Sequence, residues 1–255
     1  MTDKKIVKKR RKKRRKIKYF RIFFLLAIFL GICYFILNLG LFKISKIDVM
    51  GNKKVETEAI LEKTDYLMGK SIFFTRKSTV EKSVKSIPYV DTVKVKKKFP
   101  SKVELTVEER KPSIMIPNKD KFLLIDSTGT FLEEVESFTY DLTIIEKIDL
   151  NGDPKSGDKI FDFIVDDRID NFLELALSKS VFSYFEKLHF DEKETVIDLN
   201  NGIKVAFGSY NNMEYKLDVL QKILDDVEKD GTNATMILME EGPYPVLVTD
   251  FEKID

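Results

Sequence analysis

The chain has 255 residues, of which 34% are charged and 43% hydrophobic, and its formal net charge is +2. That leaves room for one or two domains with a buried core and excludes a chain disordered throughout. Charge is polarised: Met1 to Arg21 hold 13 Lys/Arg against one acid, and the remainder holds 31 basic against 41 acidic residues. A uniformly basic nucleic-acid binder is therefore excluded. One Cys and one His also exclude a disulfide framework and a Cys/His zinc cluster.

The N-terminus predicts a membrane anchor. Residues 1–21 form a basic cytoplasmic tail, and Ile22 to Phe42 follow with no charge and one amide, Asn38. At ~1.5 Å per residue this run is ~31 Å long as a helix, the thickness of a hydrocarbon core. A cleaved signal has a shorter apolar region and a small-x-small cleavage site, which Leu37 to Leu41 lack. Thirteen basic residues precede the helix, and Lys43, Lys46, Lys53 and Lys54 follow it. The positive-inside rule then predicts a single-pass type II protein with its later domains outside the cytoplasm. The run Lys8 to Lys16 sets topology and attracts anionic lipid rather than nucleic acid. Cys33 falls within the helix, so the exported part is free of cysteine.

Residues 43–112 read as strand, helix, helix, strand, strand. Ile44, Ile47 and Val49 are extended and end at the turn pair Gly51-Asn52. Glu56 or Thr57 opens a helix along Ala59, Ile60, Lys63 and Leu67, closed by Gly69. Val80, Val84 and Ile87 mark a second helix, ended by Pro88. Val93 and Val95 alternate with lysines; after Phe99-Pro100-Ser101, Val103, Leu105 and Val107 alternate with Glu104, Thr106 and Glu108. This predicts a hairpin with one buried face and lysines opposite glutamates on the wet one.

Three blocks in this stretch carry a resemblance. They are Phe42-x-Ile44-x-x-Ile47-x-Val49-x-Gly51-Asn52, Pro88-Tyr89-Val90-x-x-Val93-x-Val95, and Phe99-Pro100-x-x-Val103-x-Leu105-x-Val107-x-Glu109-Arg110-x-Pro112. In this order behind an anchor, they resemble the β-α-α-β-β POTRA domain of the FtsQ/DivIB cell-division proteins.

Residues 113–251 read as a strand-rich domain with two helices, before a tail at 252–255. Ile116, Phe122 and Leu124 fall on strands, and Asp126 to Gly129 form a turn before Phe131 and Leu132. Ile169, Phe172, Leu173 and Ala176 have helical spacing; Leu188 and Phe190 are on a strand. Thr195 to Leu199 and Ile203 to Phe207 form a hairpin across Asn200-Asn201-Gly202. Leu217, Leu220, Leu224 and Val227 line a longer helix, and Ala234 to Met239 and Tyr244 to Phe251 supply the last strands. Asn201 to Gly208 with the helix after it resembles the FtsQ/DivIB β-domain. The Asp and Arg usual in that family's penultimate strand are absent from Met236 to Glu240. The fold class is thus α+β: one transmembrane helix, a POTRA domain and a β-domain.

Motifs for chemistry are weak. Gly69-Lys70-Ser71 lacks the earlier glycine of a phosphate loop, its place being taken by Thr64. Asp149-x-Asn151-x-Asp153 has Pro154 and Ile160 where a calcium loop needs Gly and Glu. His189 points to a strand's polar face with no second His or exported Cys to assist it. No catalytic, metal, cofactor or small-molecule site is expected.

The resemblance implies a non-enzymatic scaffold of the division machinery that helps control septal peptidoglycan synthesis and binds FtsB/DivIC-like and FtsL-like bitopic proteins. The other partner expected is the lipid bilayer, met by the anchor and basic tail. A membrane-anchored cell-wall enzyme with a docking domain is the alternative. The expected partner-binding residues are Tyr244, Pro245, Val246, Leu247, Val248 and Thr249, a terminal apolar stretch suited to a sheet edge. An ordinary core strand would have the same local pattern.

Overall fold

The computed structural model describes residues 19–32, 34–36, 40–137, 142–191, 194–239 and 244–249. The basic run at 8–16, Asn38, Cys33, Glu240, Phe251 and the tail at 252–255 lie outside the described residues. The chain is mixed α+β. Its first element, α1 (Tyr19–Ile36), is long and apolar enough to cross a membrane, and none of its described residues is buried in the fold. Contacts divide the chain into two compact units: Met1–Lys85 with Thr92–Glu108, and Ser86–Asp91 with Glu109–Asp255.

In the first unit, Gly40–Phe42 make a 3₁₀ turn before β1 (Lys46–Met50). Helices α2 (Thr57–Thr64) and α3 (Lys77–Val84) follow, then β2 (Val90–Lys98) and β3 (Lys102–Glu109). The sheet order is β1-β3-β2, with β1 parallel to β3. Ile60, Leu67, Val80 and Val84 from the helical layer are buried, as are Val93, Val95, Val103, Leu105 and Val107 from the hairpin. On its wet face Lys94 pairs with Glu108 at 3.1 Å and Lys98 with Glu104 at 3.3 Å. Gly51 holds φ +91°, and a Cβ there would lie 2.3 Å from the Val107 carbonyl oxygen, so the turn after β1 requires glycine. Asn52 then donates to Val55 O and Thr57 Oγ1, fixing the entry to α2. Helix α3 stops at Val84, short of Ile87 and Pro88, and its C-cap Lys85 still donates its N–H to Glu81 O.

The second unit is built on one nine-stranded sheet. Its strands are β4 (Pro112–Asn118), β5 (Lys121–Asp126), β6 (Phe131–Val135), β7 (Thr143–Glu146), β8 (Phe185–Phe190), β9 (Thr195–Leu199), β10 (Lys204–Gly208), β11 (Ala234–Leu238) and β12 (Val246–Thr249). The order is β12-β11-β10-β9-β8-β7-β4-β5-β6. Three pairings are parallel, β4 with β7, β7 with β8 and β10 with β11. Parallel neighbours need long crossovers. Helix α4 (Asp167–Leu177) lies within the β7–β8 connection and α5 (Met213–Asp230) within the β10–β11 connection. Both bury their stripes on one core, Phe172, Leu173 and Ala176 beside Leu217, Leu220 and Leu224. The core-facing strand residues include Ile145, Leu188, Phe190, Ile197, Val205 and Phe207.

Leu105 is fully buried at the centre of the first unit's sheet. Leu105→Asp places an unpaired carboxylate there, at a cost of several kcal/mol. The first unit of the detergent-purified full chain is expected to lose its cooperative melting transition, read by circular dichroism.

Candidate functional site

The candidate site is the end of the second sheet. After α5, Gly231 at φ +65° caps the helix and turns the chain toward β11. β11 lies between β10, its parallel neighbour, and β12, its antiparallel one. In the register Met236 faces Val248, Ile237 faces Leu247 and Leu238 faces Val246, with an irregularity between Ala234 and Met236. Thr235 Oγ1 donates to Val248 O at 3.3 Å, a second tie across the pair.

Among the described residues β12 is the last strand of the row. Its exposure is two-sided: Val246 is 44% exposed, Leu247 38% and Val248 39%. Thr249 and Pro245 are half-buried, and Tyr244 is largely exposed. Hydrogen-bonded pairing begins at Val246, so Pro245 stands just outside the strand, where its missing N–H costs no ladder bond. Among β12's neighbours only Ile237 on β11 is fully buried.

The other polar arrangements of this unit stand on the sheet itself. His189 on β8 lies between Glu146 on β7, at 3.1 Å from Nδ1, and Asp198 on β9, at 3.3 Å from Nε2. Lys187 pairs with Glu146 at 3.0 Å, and Lys204 lies 3.7 Å from Asp198. This is a row of acidic and basic groups across four strands on the face opposite α4 and α5, and it accounts for His189 as a cross-strand partner.

A second cluster carries a residue whose role sequence reasoning missed. Asp126, at 5% side-chain exposure, closes the turn to β6. Its Oδ1 accepts from the N–H groups of Thr128 and Thr130 at 2.9 and 2.8 Å, and its Oδ2 from Arg110 Nη1 at 2.6 Å. Arg110 also lies 3.4 Å from Asp91. Burial alone would raise the Asp126 pKa; the Thr130 amide, the Arg110 guanidinium and the Thr128 hydroxyl and amide outweigh it and hold the carboxyl below its ordinary value. The sequence shows the two parts separately, the turn at Asp126 to Gly129 and Arg110 between the β3 pattern and Pro112, but not their contact.

With this geometry in place, the comparisons define the class: a protein with a POTRA domain ahead of a strand-rich domain. The family model described as "POTRA domain, FtsQ-type" matches residues 42–110. The chain is 28% identical over 251 residues to the cell division protein DivIB of Clostridium botulinum, covering 95% of each chain. It is 24% identical over 224 residues to DivIB of Clostridium tetani, covering 85% of this chain and 76% of that one. It is also 20% identical over 182 residues to the cell division protein FtsQ of Corynebacterium glutamicum, covering 71% of this chain and 78% of that one. The chain thus carries an FtsQ-type POTRA domain and is similar along nearly its whole length to the DivIB cell-division proteins, and its role lies in cell division.

The Asp126 cluster gives a pH prediction. A carboxylate whose folded pKa is depressed contributes stability above its unfolded value near ~3.9, and loses it as pH falls through the folded one. Asp126→Asn is expected to cost about 2 kcal/mol at neutral pH, because Arg110 keeps 19% of its side-chain surface in water and is only partly stranded. The variant is also expected to lose part of the parent's fall in melting temperature below about pH 4. Parallel melting curves for parent and variant from neutral pH to pH 2 check both.

Proposed function

We propose that the chain is a non-enzymatic, membrane-anchored scaffold of the division machinery. In this reading β12, with Tyr244 and Pro245 ahead of it, receives an extended segment of an FtsB/DivIC-like partner, and an FtsL-like protein joins the same assembly. Its part in division is then to help control septal peptidoglycan synthesis by assembly rather than by chemistry. In this reading the N-terminus lies in the cytoplasm and both later units outside it, a topology supported by the 13-to-4 asymmetry of basic residues around the apolar helix.

A contrast between sheet edges supports the binding role. The two sheets have four terminal strands among the described residues: β1, β2, β6 and β12. β1 carries Lys46 and Asp48, β2 carries Asp91 and a run of lysines, and β6 carries Glu133 and Glu134. Charges of this kind discourage a foreign strand. β12 is Val-Leu-Val-Thr, with no charge. It is the edge open to strand addition, where main-chain bonds give affinity and alternate side chains give selectivity.

Leu247→Glu is expected to leave the fold intact by circular dichroism, since Leu247 is already 38% exposed. Capture of the FtsB/DivIC-like protein from the same cell should weaken about tenfold, ~1.4 kcal/mol. Tyr244→Ala should act in the same direction. Unchanged capture by a folded Leu247→Glu protein would move the partner surface elsewhere. A C-terminal reporter active only outside the cytoplasm tests the topology and is expected to be active.

A further inference from the structure

The connection between α2 and α3 is fixed against the chain segment that leaves the apolar helix. Ile72 N–H donates to Phe42 O at 3.0 Å, Ile44 N–H to Lys70 O at 2.8 Å, and Gly69 N–H to Ile44 O at 2.9 Å. Phe42 stands six residues after the end of α1, and its ring meets Phe73 at 5.1 Å, which in turn meets Phe99 of the β2–β3 turn at 5.1 Å. These rings do not form a core: Phe73 is 38% exposed, Phe99 58% and the adjacent Phe74 67%. Such rings are costly in water unless something covers them.

Basic groups interleave with the rings. Lys97 Nζ donates to Phe73 O at 3.2 Å, and Lys70 Nζ lies 5.1 Å from the Tyr66 ring. Lys70 and Arg76 border a groove of about 430 Å³ that Tyr66, Phe74 and the hydroxyl residues Ser71, Thr75 and Thr79 also line. Ser71 Oγ is shielded from solvent there without a hydrogen-bond partner. The three segments that meet at this place, 40–47, 66–80 and 92–102, contain no acidic residue. Aromatic rings beside lysine and arginine, next to the end of a membrane-spanning helix, are the composition of an interfacial belt.

We propose that this face of the first unit seats on the bilayer surface, with Phe73, Phe74 and Phe99 entering the headgroup region and Lys70, Arg76 and Lys97 meeting the phosphates of anionic phospholipid. The occupant follows from continuity with α1 and from charge complementarity. The inference rests on α1 spanning the same bilayer and is independent of what β12 binds.

The chain contains no tryptophan, so Phe74→Trp supplies a single reporter at an exposed position. The full-length variant is reconstituted into equimolar phosphatidylglycerol–phosphatidylcholine vesicles. Its emission is expected to shift to the blue, and brominated acyl chains should quench it to about half. Tyr215→Trp, on the second unit and 59% exposed in the parent, is expected to show neither effect. Adding Lys70→Glu and Arg76→Glu should abolish the Phe74→Trp quenching. Salt-resistant flotation with the vesicles reports α1 separately. Flotation without quenching at Phe74→Trp overturns the seated face alone, and loss of flotation overturns the anchor and the seat together. Equal quenching in phosphatidylcholine vesicles overturns the anionic-lipid assignment.

Discussion

Phe172 on α4 is fully buried and meets Phe190 on β8, Phe207 on β10 and Tyr210 edge to face, with centroids 5.8, 5.1 and 6.4 Å away. One ring thus joins a helix to two strands that are separated by β9. Contacts of this geometry add about 0.5–1.5 kcal/mol each beyond the area they bury. The consequence is directional. The apolar stripes of α4 and α5 share one core, so that face of the sheet is covered, and the opposite face is left to the Glu146–His189–Asp198 ladder. Each helix accompanies a parallel pairing. The same packing that seats α4 therefore carries the chain from β7 to β8, and that of α5 brings β11 beside β10.

An open sheet laid down in this way has two terminal strands, and among the described residues β12 is one of them. The strand is four residues long, pairs among the described residues with β11 alone and contributes no fully buried side chain. Stability in such an element comes mostly from its ladder with one neighbour, which places it among the parts of the domain that open most readily. The Leu247 and Val248 side chains gain little from the present fold and would gain more under a partner. A β6-like edge, with Glu133 and Glu134, makes the opposite compromise: charge keeps it solvated and closed to addition.

Local signals carried much of this architecture. Strict alternation at Val93–Val95 and Val103–Leu105–Val107, and across Thr195–Leu199 and Ile203–Phe207, marks half-buried strands because side-chain period two is a property of neighbouring residues. The stripes of α4 and α5 are legible for the same reason. Strand order is not local. Nothing near Thr143-Ile144-Ile145 says that β7 lies between β4 and β8, and nothing in Val246–Thr249 says which strand it joins. The pattern Tyr244 to Thr249 fits an edge and also a core strand; the two-sided exposure of Val246, Leu247 and Val248 is again a tertiary fact. The partners of Arg110 are not legible in the sequence because Asp126 and Asp91 are 16 and 19 positions away and meet it only in the folded chain. Nothing local in the sequence marks Phe73, Phe74 and Phe99 as exposed; their exposure is a tertiary fact.

The size of β12 limits what an edge alone can hold. Each main-chain bond contributes about 0.5–1.5 kcal/mol net, so a short added strand gains a few kcal/mol. Association costs at least about 4 kcal/mol in lost translational and rotational freedom. On the proposed reading, strand addition to Val246–Thr249 is therefore weak between molecules free in solution. It becomes effective when both partners are already held at one membrane, because tethering replaces the bulk encounter by a local concentration of order millimolar. That concentration depends on how freely the tethered units move. A face seated by Phe73, Phe74 and Phe99 would restrict the first unit to the bilayer surface, and would narrow the volume to be searched without adding any contact to the edge itself.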